Sequence, residues 1–387
     1  MSNAQAPYWR LSGFYLFYFA SIGALMPYWG LYLKSLGFSV LEISQLIAIL
    51  LATKIVAPNI WGWIADHRGV RMPIIRFASI ASLIAYTAVF WVQGFWTMAL
   101  MMFTFSFFWN ANLPQFEATT LSHLGEKSQR YSVIRLWGSV GFVLTVILIG
   151  RLMEDYGAQV LPPTILILLS GIFLFSLFTP EAHEEHHHQT APRLKDTLKR
   201  KEVITLLVVC FLLQASHGVY YAFYSIFLEG AGYSRSLIGN LWALGVIAEI
   251  VLFVFMHRLF QRWSAKTLLV LALFLTAIRW WMIGNFVNDH SVIIFAQLLH
   301  AASFGLVHSV SIYYLRDFFP GRLQGRGQAL YSSLSFGAGG AVGTLYGGYV
   351  WDMGGGYFAF NVSVVVALVA LSIAIWGLPG KRKPKVY

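Results

Sequence analysis

Five ionisable side chains interrupt long apolar stretches of this chain: Lys54, Glu117, Arg135, Glu249 and Arg279. At the centre of a bilayer each costs at least about 2.5 to 3.5 kcal/mol, so a chain that keeps five is built to bind or move something polar. Glu117 and Arg135 lie roughly a turn inside the same edge of successive antiparallel spans, where they can meet and neutralise one another. Such a pair either contacts a substrate or only ties two helices together. Three cations against two carboxylates leave one positive charge without a fixed partner, which a monocarboxylate would supply and a neutral sugar would not. Lys54, near the middle of its span, is too deep for its ammonium to snorkel easily to the surface. A phenyl ring needs aromatic walls, and Phe142 and Tyr220, with Phe14, Tyr18, Trp29, Phe116 and Tyr224, are candidates, although most aromatics in such a chain face lipid or the interface. Lys54, Glu117, Arg135, Phe142 and Tyr220 are therefore the candidate substrate-binding residues. Glu249, mid-span, is the preferred proton carrier, with Arg279 or His300 setting when the proton leaves. His217, His300 and His308 can each exchange protons near neutrality or serve only as hydrogen-bonding groups.

The elements that must position these groups are membrane helices. Hydrophobic residues make up 58% of the 387 and charged residues 11%, with a mean hydropathy of +0.65, too few charges to clothe a soluble domain. The net charge of +11 would suggest nucleic acid in a soluble protein, but the location of the charges excludes that reading here. Runs near 20 apolar residues give about twelve spans, near 9–33, 40–65, 72–92, 96–120, 132–154, 159–179, 203–228, 236–257, 267–286, 291–315, 327–351 and 357–378. The first span is too long for a signal peptide and lacks a small-residue cleavage site, so it reads as a retained helix. Of the 27 Lys and Arg residues, 21 fall in one alternate set of connecting segments, three (Lys34, Arg151, Arg235) in the other and three within spans. That asymmetry places both termini in the cytoplasm. The single Cys210, in an apolar run, leaves no disulfide framework and no Cys-based metal site.

A polar segment at 180–202 divides the chain into an N-terminal six-helix bundle, 1–179, and a C-terminal one, 203–387, which ends in a short basic tail. Its His183, His186, His187 and His188 read as part of a solvated tether, since a flexible linker fixes no metal geometry. Across the tether the sequence repeats. Leu33, Gly37, Ser39, Ile43 and Leu46 recur as Leu228, Gly232, Ser234, Ile238 and Leu241, and GRLMEDYG (150–157) echoes GGYVWDMG (347–354). Two repeated halves imply a site near the midplane where they meet, with rocking of one half against the other as the working motion. Gly339, Gly343 and Gly347, spaced by four in span 11, permit close helix packing or flexing.

The segment GWIADHRGVR (62–71) resembles the signature of the major facilitator superfamily, carried by Gly62, Asp66, Gly69 and Arg71. The glycines allow a tight turn, and Asp66 can cap a helix and pair with Arg71 as a latch that breaks during rocking. The segment 114–142 is similar to the span 4 to span 5 region of the lactose permease (oligosaccharide:proton symporter) family, whose facing Glu and Arg match Glu117 and Arg135. Glu249, Arg279 and His300 match positions of that family's proton-coupling region. Phe142 stands where that family has the Trp on which a sugar stacks, and Ser303 and Gln297 replace an acid and a lysine. Over nearly the whole chain the sequence resembles the phenylpropionate permease family, through LLQASHGVYYAF (212–223), NLWALGVIAEIVLF (240–253), RLFQRWSAK (258–266) and QLLHAASFGLVHS (297–309). The resemblance implies an all-α membrane protein of twelve helices in two bundles, in a bacterial inner membrane, taking up an aromatic acid such as 3-phenylpropionate with protons. Its expected partners are that small organic acid, protons and lipid, with no cofactor beyond the proton gradient and no nucleic acid, and the expected state is a monomer. Symport of a sugar, oligosaccharide or nucleoside is the alternative, as is drug or solute antiport. Span 5 lacks the Gly-Pro that superfamily antiporters usually carry there. No HExxH, GxSxG, paired acidic motif or phosphate loop points to an enzyme.

Overall fold

The computed structural model describes residues 6–182, 194–321 and 323–380. In the first half, α1 (Tyr8–Ser35), α2 (Val40–Arg68), α3 (Met72–Thr87), α4 (Phe95–Leu124), α5 (Tyr131–Tyr156) and α6 (Leu161–Phe178) follow one another with short connections. After the short α7 (Leu194–Leu198) come α8 (Lys201–Gly230), α9 (Arg235–Arg262), α10 (Ala265–Asn285), α11 (His290–Leu298), α12 (Val307–Phe318), α13 (Leu323–Ser332) and α14 (Gly340–Gly377). The expected tether histidines lie outside the described residues.

Among the described residues, ten helical stretches are long and apolar enough to cross a membrane. The last, Leu323–Gly377, holds two spans, because the backbone leaves helical geometry at Gly354 and Gly355, the latter at φ 69°. The 30-residue α4 adds the twelfth, its hydropathy lowered by Asn110, Asn112, Gln115 and Glu117. The architecture is thus the expected multi-pass α-helical one. Two spans are less regular than their sequence period suggests. The stretch expected at 291–315 is α11, a π-helical segment at Ala301–Leu306 and α12, and a second π-helical segment, Ser333–Gly339, joins α13 to α14.

The internal repeat is visible in the backbone. Gly37 closes α1 at φ 88° and Gly232 closes α8 at φ 87°, a conformation that a Cβ would strain. In each case the next residue's N–H reaches back to a helix carbonyl, Phe38 to Leu33 and Tyr233 to Leu228, ending the helix in the same way. Among the described residues the chain forms two compact units. One contains residues 6–38, 53–182 and 234–240, and the other contains 39–52, 194–233, 241–321 and 323–380. In the second unit the glycines of span 11 pack directly on α8. A Cβ added to Gly343 would collide with the Ala215 carbonyl oxygen, so only glycine permits that approach.

Candidate functional site

The turn between α2 and α3 binds itself with charge. Arg71 meets Asp66 at 2.9 Å and donates to the Gln115 side-chain oxygen at 2.6 Å. Gly62 lies inside α2, and Gly69 takes φ 67° in the turn. Asp66 and Arg71 pair as expected, but Asp66 does not cap a helix. It sits in the last turns of α2, at the wrong end for the start of α3. The two N–H groups that open α3, those of Arg71 and Met72, donate to the Glu181 carboxylate at 3.1 and 3.0 Å. Arg76 donates to the Ser176 and Thr179 carbonyls at 3.1 and 2.9 Å, so the end of α6 is tied to the start of α3 twice. No sequence signal linked Glu181 to a helix start 110 residues away.

The first unit holds one pair and one further cation. Arg135 Nε lies 3.9 Å from Glu117 Oε1, and the Tyr131 hydroxyl donates to the same carboxylate oxygen at 3.1 Å. The guanidinium carbon stands 3.6 Å from the Phe19 ring centroid. Both members of the pair are about one-third exposed, so the contact is long, single and open. Lys54 is half-buried midway along α2, with no hydrogen bond or ion pair to another described residue. Beside it, Asn110 donates to Thr53, whose hydroxyl donates to Ser106, each at 2.9 Å. The expected aromatic walls are mostly occupied by one another. Phe14 stacks on Phe116 with centroids 3.6 Å apart, and Tyr18 stacks on Trp109 at 5.0 Å, all four buried. Phe142 is buried with its backbone against Gly23 of α1.

In the second unit the polar groups form one buried network. Arg279 is fully buried, donating from Nε to the Ala296 carbonyl at 3.1 Å, from Nη1 to Ser303 at 2.9 Å and from Nη2 to Gln297 at 2.9 Å. Its guanidinium also lies over the Tyr220 and Trp280 rings, 4.3 and 4.6 Å from their centroids. Tyr220, which donates to Gln297 at 3.3 Å, is thus a partner of Arg279 in the core. The departures at Ser303 and Gln297 are the groups that hold the arginine with neutral acceptors. Glu249 Oε2 lies 3.8 Å from His300 Nε2. Gly305 of the first π segment makes that position possible, since a Cβ there would come 2.8 Å from Glu249 Cγ. His217 donates from Nδ1 to the Leu213 carbonyl oxygen at 2.9 Å and lies edge-on to Trp280. Among the described residues no three His, Cys, Asp or Glu side chains gather as a metal site.

The charges therefore divide unevenly, with Lys54 and Arg135 against Glu117 in one unit and Arg279 against Glu249 in the other. A multi-pass helical protein with a repeated backbone and intramembrane charges in both units is built like a secondary transporter. The sequence matches the model of the MFS_1 like family over residues 8–362, and the chain belongs to that family. It is 29% identical over 378 residues to a probable 3-phenylpropionic acid transporter of Escherichia coli (strain K12), covering 95% of this chain and 96% of that one. It is 25% identical over 367 residues to a maltose permease of Geobacillus stearothermophilus, covering 92% of each. Among solved structures, the nucleoside transporter NupG superposes with a TM-score of 0.78 at 15% identity, covering 95% of this chain and 97% of that one. That likeness is one of fold.

Proposed function

We propose that this transporter carries an aromatic monocarboxylate, such as 3-phenylpropionate, into the cell together with protons. The observation that carries the reading is Lys54, a cation midway along an apolar helix with no partner among the described residues. Arg135 has Glu117 and Arg279 has three neutral acceptors, so Lys54 is the cation with a charge to offer an anion. The similarity to a probable 3-phenylpropionic acid transporter supports an aromatic acid as that anion. Glu249, beside His300, carries the proton, and the gradient replaces any cofactor. The protein works as a monomer in a bacterial inner membrane with both termini cytoplasmic.

Binding of acid and amide analogues to the parent protein and to Lys54→Met tests the reading. The variant keeps its fold and insertion, because a costly charge is removed, and it binds the acid more weakly by about 1.5 to 3 kcal/mol, the worth of a hydrogen bond to a charged group. The amide binds poorly to the parent and loses little more in the variant. Equal losses for acid and amide would make Lys54 a shaper of the cavity. Unchanged acid affinity would move the anion-binding role to Arg135 or Arg279.

A further inference from the structure

The Glu249–His300 pair is framed by two glycines, each on the span opposite the side chain for which it makes room. A Cβ on Gly305 would come 2.8 Å from Glu249 Cγ, and a Cβ on Gly245 would come 3.3 Å from the Cβ, Cγ and Cδ2 atoms of His300. Gly245 precedes Glu249 by four residues on α9, so the two share a face by ordinary helix geometry. Gly305 follows His300 by five. In a regular α-helix, at 3.6 residues per turn, a residue five places on lies about 140° around the axis. The turn that joins them, Ala301–Leu306, is π-helical, and its i→i+5 period returns Gly305 to the side of His300. Such turns are rare and gather at functional sites. The imidazole is also held by its faces, with the Phe304 and Tyr220 centroids 5.5 and 6.1 Å away. Its Nε2 edge is the one that Glu249 approaches, at 3.8 Å, with both side chains largely buried.

We propose that this π turn sets the distance between Glu249 and His300, with Gly305 and Gly245 as positioning residues for proton coupling. The inference rests on the reading of Glu249 as proton carrier. A carboxyl group exchanges a proton with an imidazole within hydrogen-bond reach, about 2.6 to 3.2 Å. The observed 3.8 Å therefore leaves a short closing movement, and the two missing Cβ atoms leave room for it. Alanine at position 305 would fill that room against Glu249, and alanine at position 245 would fill it against His300. Neither glycine carries a polar group of its own, so each acts only through the side chain it faces. Among the described residues, the charged and titratable groups that face the pair are Arg279 of α10 and, from α8, His217, Tyr220 and Tyr221. None of these is moved by either alanine, since neither added Cβ would touch them.

A positioning role separates coupling from binding. In proteoliposomes, Gly305→Ala exchanges 3-phenylpropionate by counterflow near the parental rate. Its uptake driven by a pH gradient slows by about tenfold or more, because misplacing a reacting pair by 1 Å can cost a hundredfold, and the pH dependence of that uptake shifts. Gly245→Ala acts in the same direction with a smaller loss, since His300 need give only a few tenths of an ångström. Gly325→Ala, whose Cβ would meet nothing within 4 Å, leaves both activities unchanged and controls for the loss of a glycine. Parental gradient-driven uptake with an unchanged pH profile in Gly305→Ala would overturn the positioning role. Loss of counterflow in both Gly305→Ala and Gly245→Ala would also overturn it, by making the glycines structural. Full accumulation by Glu249→Gln, measured alongside, would instead remove the proton-carrier reading on which the inference rests.

Discussion

Arg279→Lys destabilises the protein more than Arg279→Met, although lysine keeps the charge. The guanidinium is fully buried and divides its charge among the Ala296 carbonyl, Ser303 and Gln297 while lying over two aromatic rings. An ammonium is a compact point charge that cannot reproduce this fork, so lysine leaves a buried charge stripped of part of its compensation, at a cost of about 3 to 5 kcal/mol. Methionine removes the charge, and because Gln297 still accepts from Tyr220 and Ser303 still bonds the His300 carbonyl, only about one buried group loses its partner, a smaller penalty of about 1 to 3 kcal/mol. Thermal unfolding in detergent should therefore rank the parent above Arg279→Met and Arg279→Met above Arg279→Lys. The reverse order of the variants would mean that Arg279 meets an anion or water that lysine can also satisfy.

Glu249→Gln is the variant that uncouples transport. Glutamine fits the space beside Gly305 and preserves the approach to His300, but it holds no exchangeable carboxyl proton. Counterflow, which needs only binding and the change of access, continues near the parental rate, while accumulation on a pH gradient falls to equilibrium with the bath. Loss of both activities in a folded protein would place Glu249 against the substrate. Undiminished accumulation would pass the proton to His300, His217 or Glu117.

Span positions and intramembrane charges were legible in the sequence because hydropathy over about 20 residues is a local property. The pairing of Glu117 with Arg135 was legible too, since successive antiparallel helices bring matched depths together. The repeat at Gly37 and Gly232 could be read from residue types because a left-handed backbone position selects glycine. What escaped depends on which helix faces meet. Glu181 caps α3 from beyond α6, and Tyr131 binds Glu117 from the first turn of α5. Ser303 and Gln297 read in the sequence as lost charges, whereas in the fold they are the acceptors of the Arg279 guanidinium. Composition likewise cannot say whether an aromatic side chain lines a slot or fills the core, and Phe14 and Phe116 stack on each other. The two π segments carry no periodic signature, because one extra residue in a turn is lost within a continuous apolar run.

The most direct measurement is uptake of 3-phenylpropionate by the purified parent protein in proteoliposomes with an acidic exterior, compared with its amide and with maltose. The account predicts accumulation of the acid above its external concentration that is saturable and faster than in protein-free liposomes, where the protonated acid diffuses by itself, collapsing when a protonophore dissipates the gradient, with neither neutral compound accumulated. Gradient-driven accumulation of maltose, or entry of the acid that never exceeds equilibrium, would contradict it.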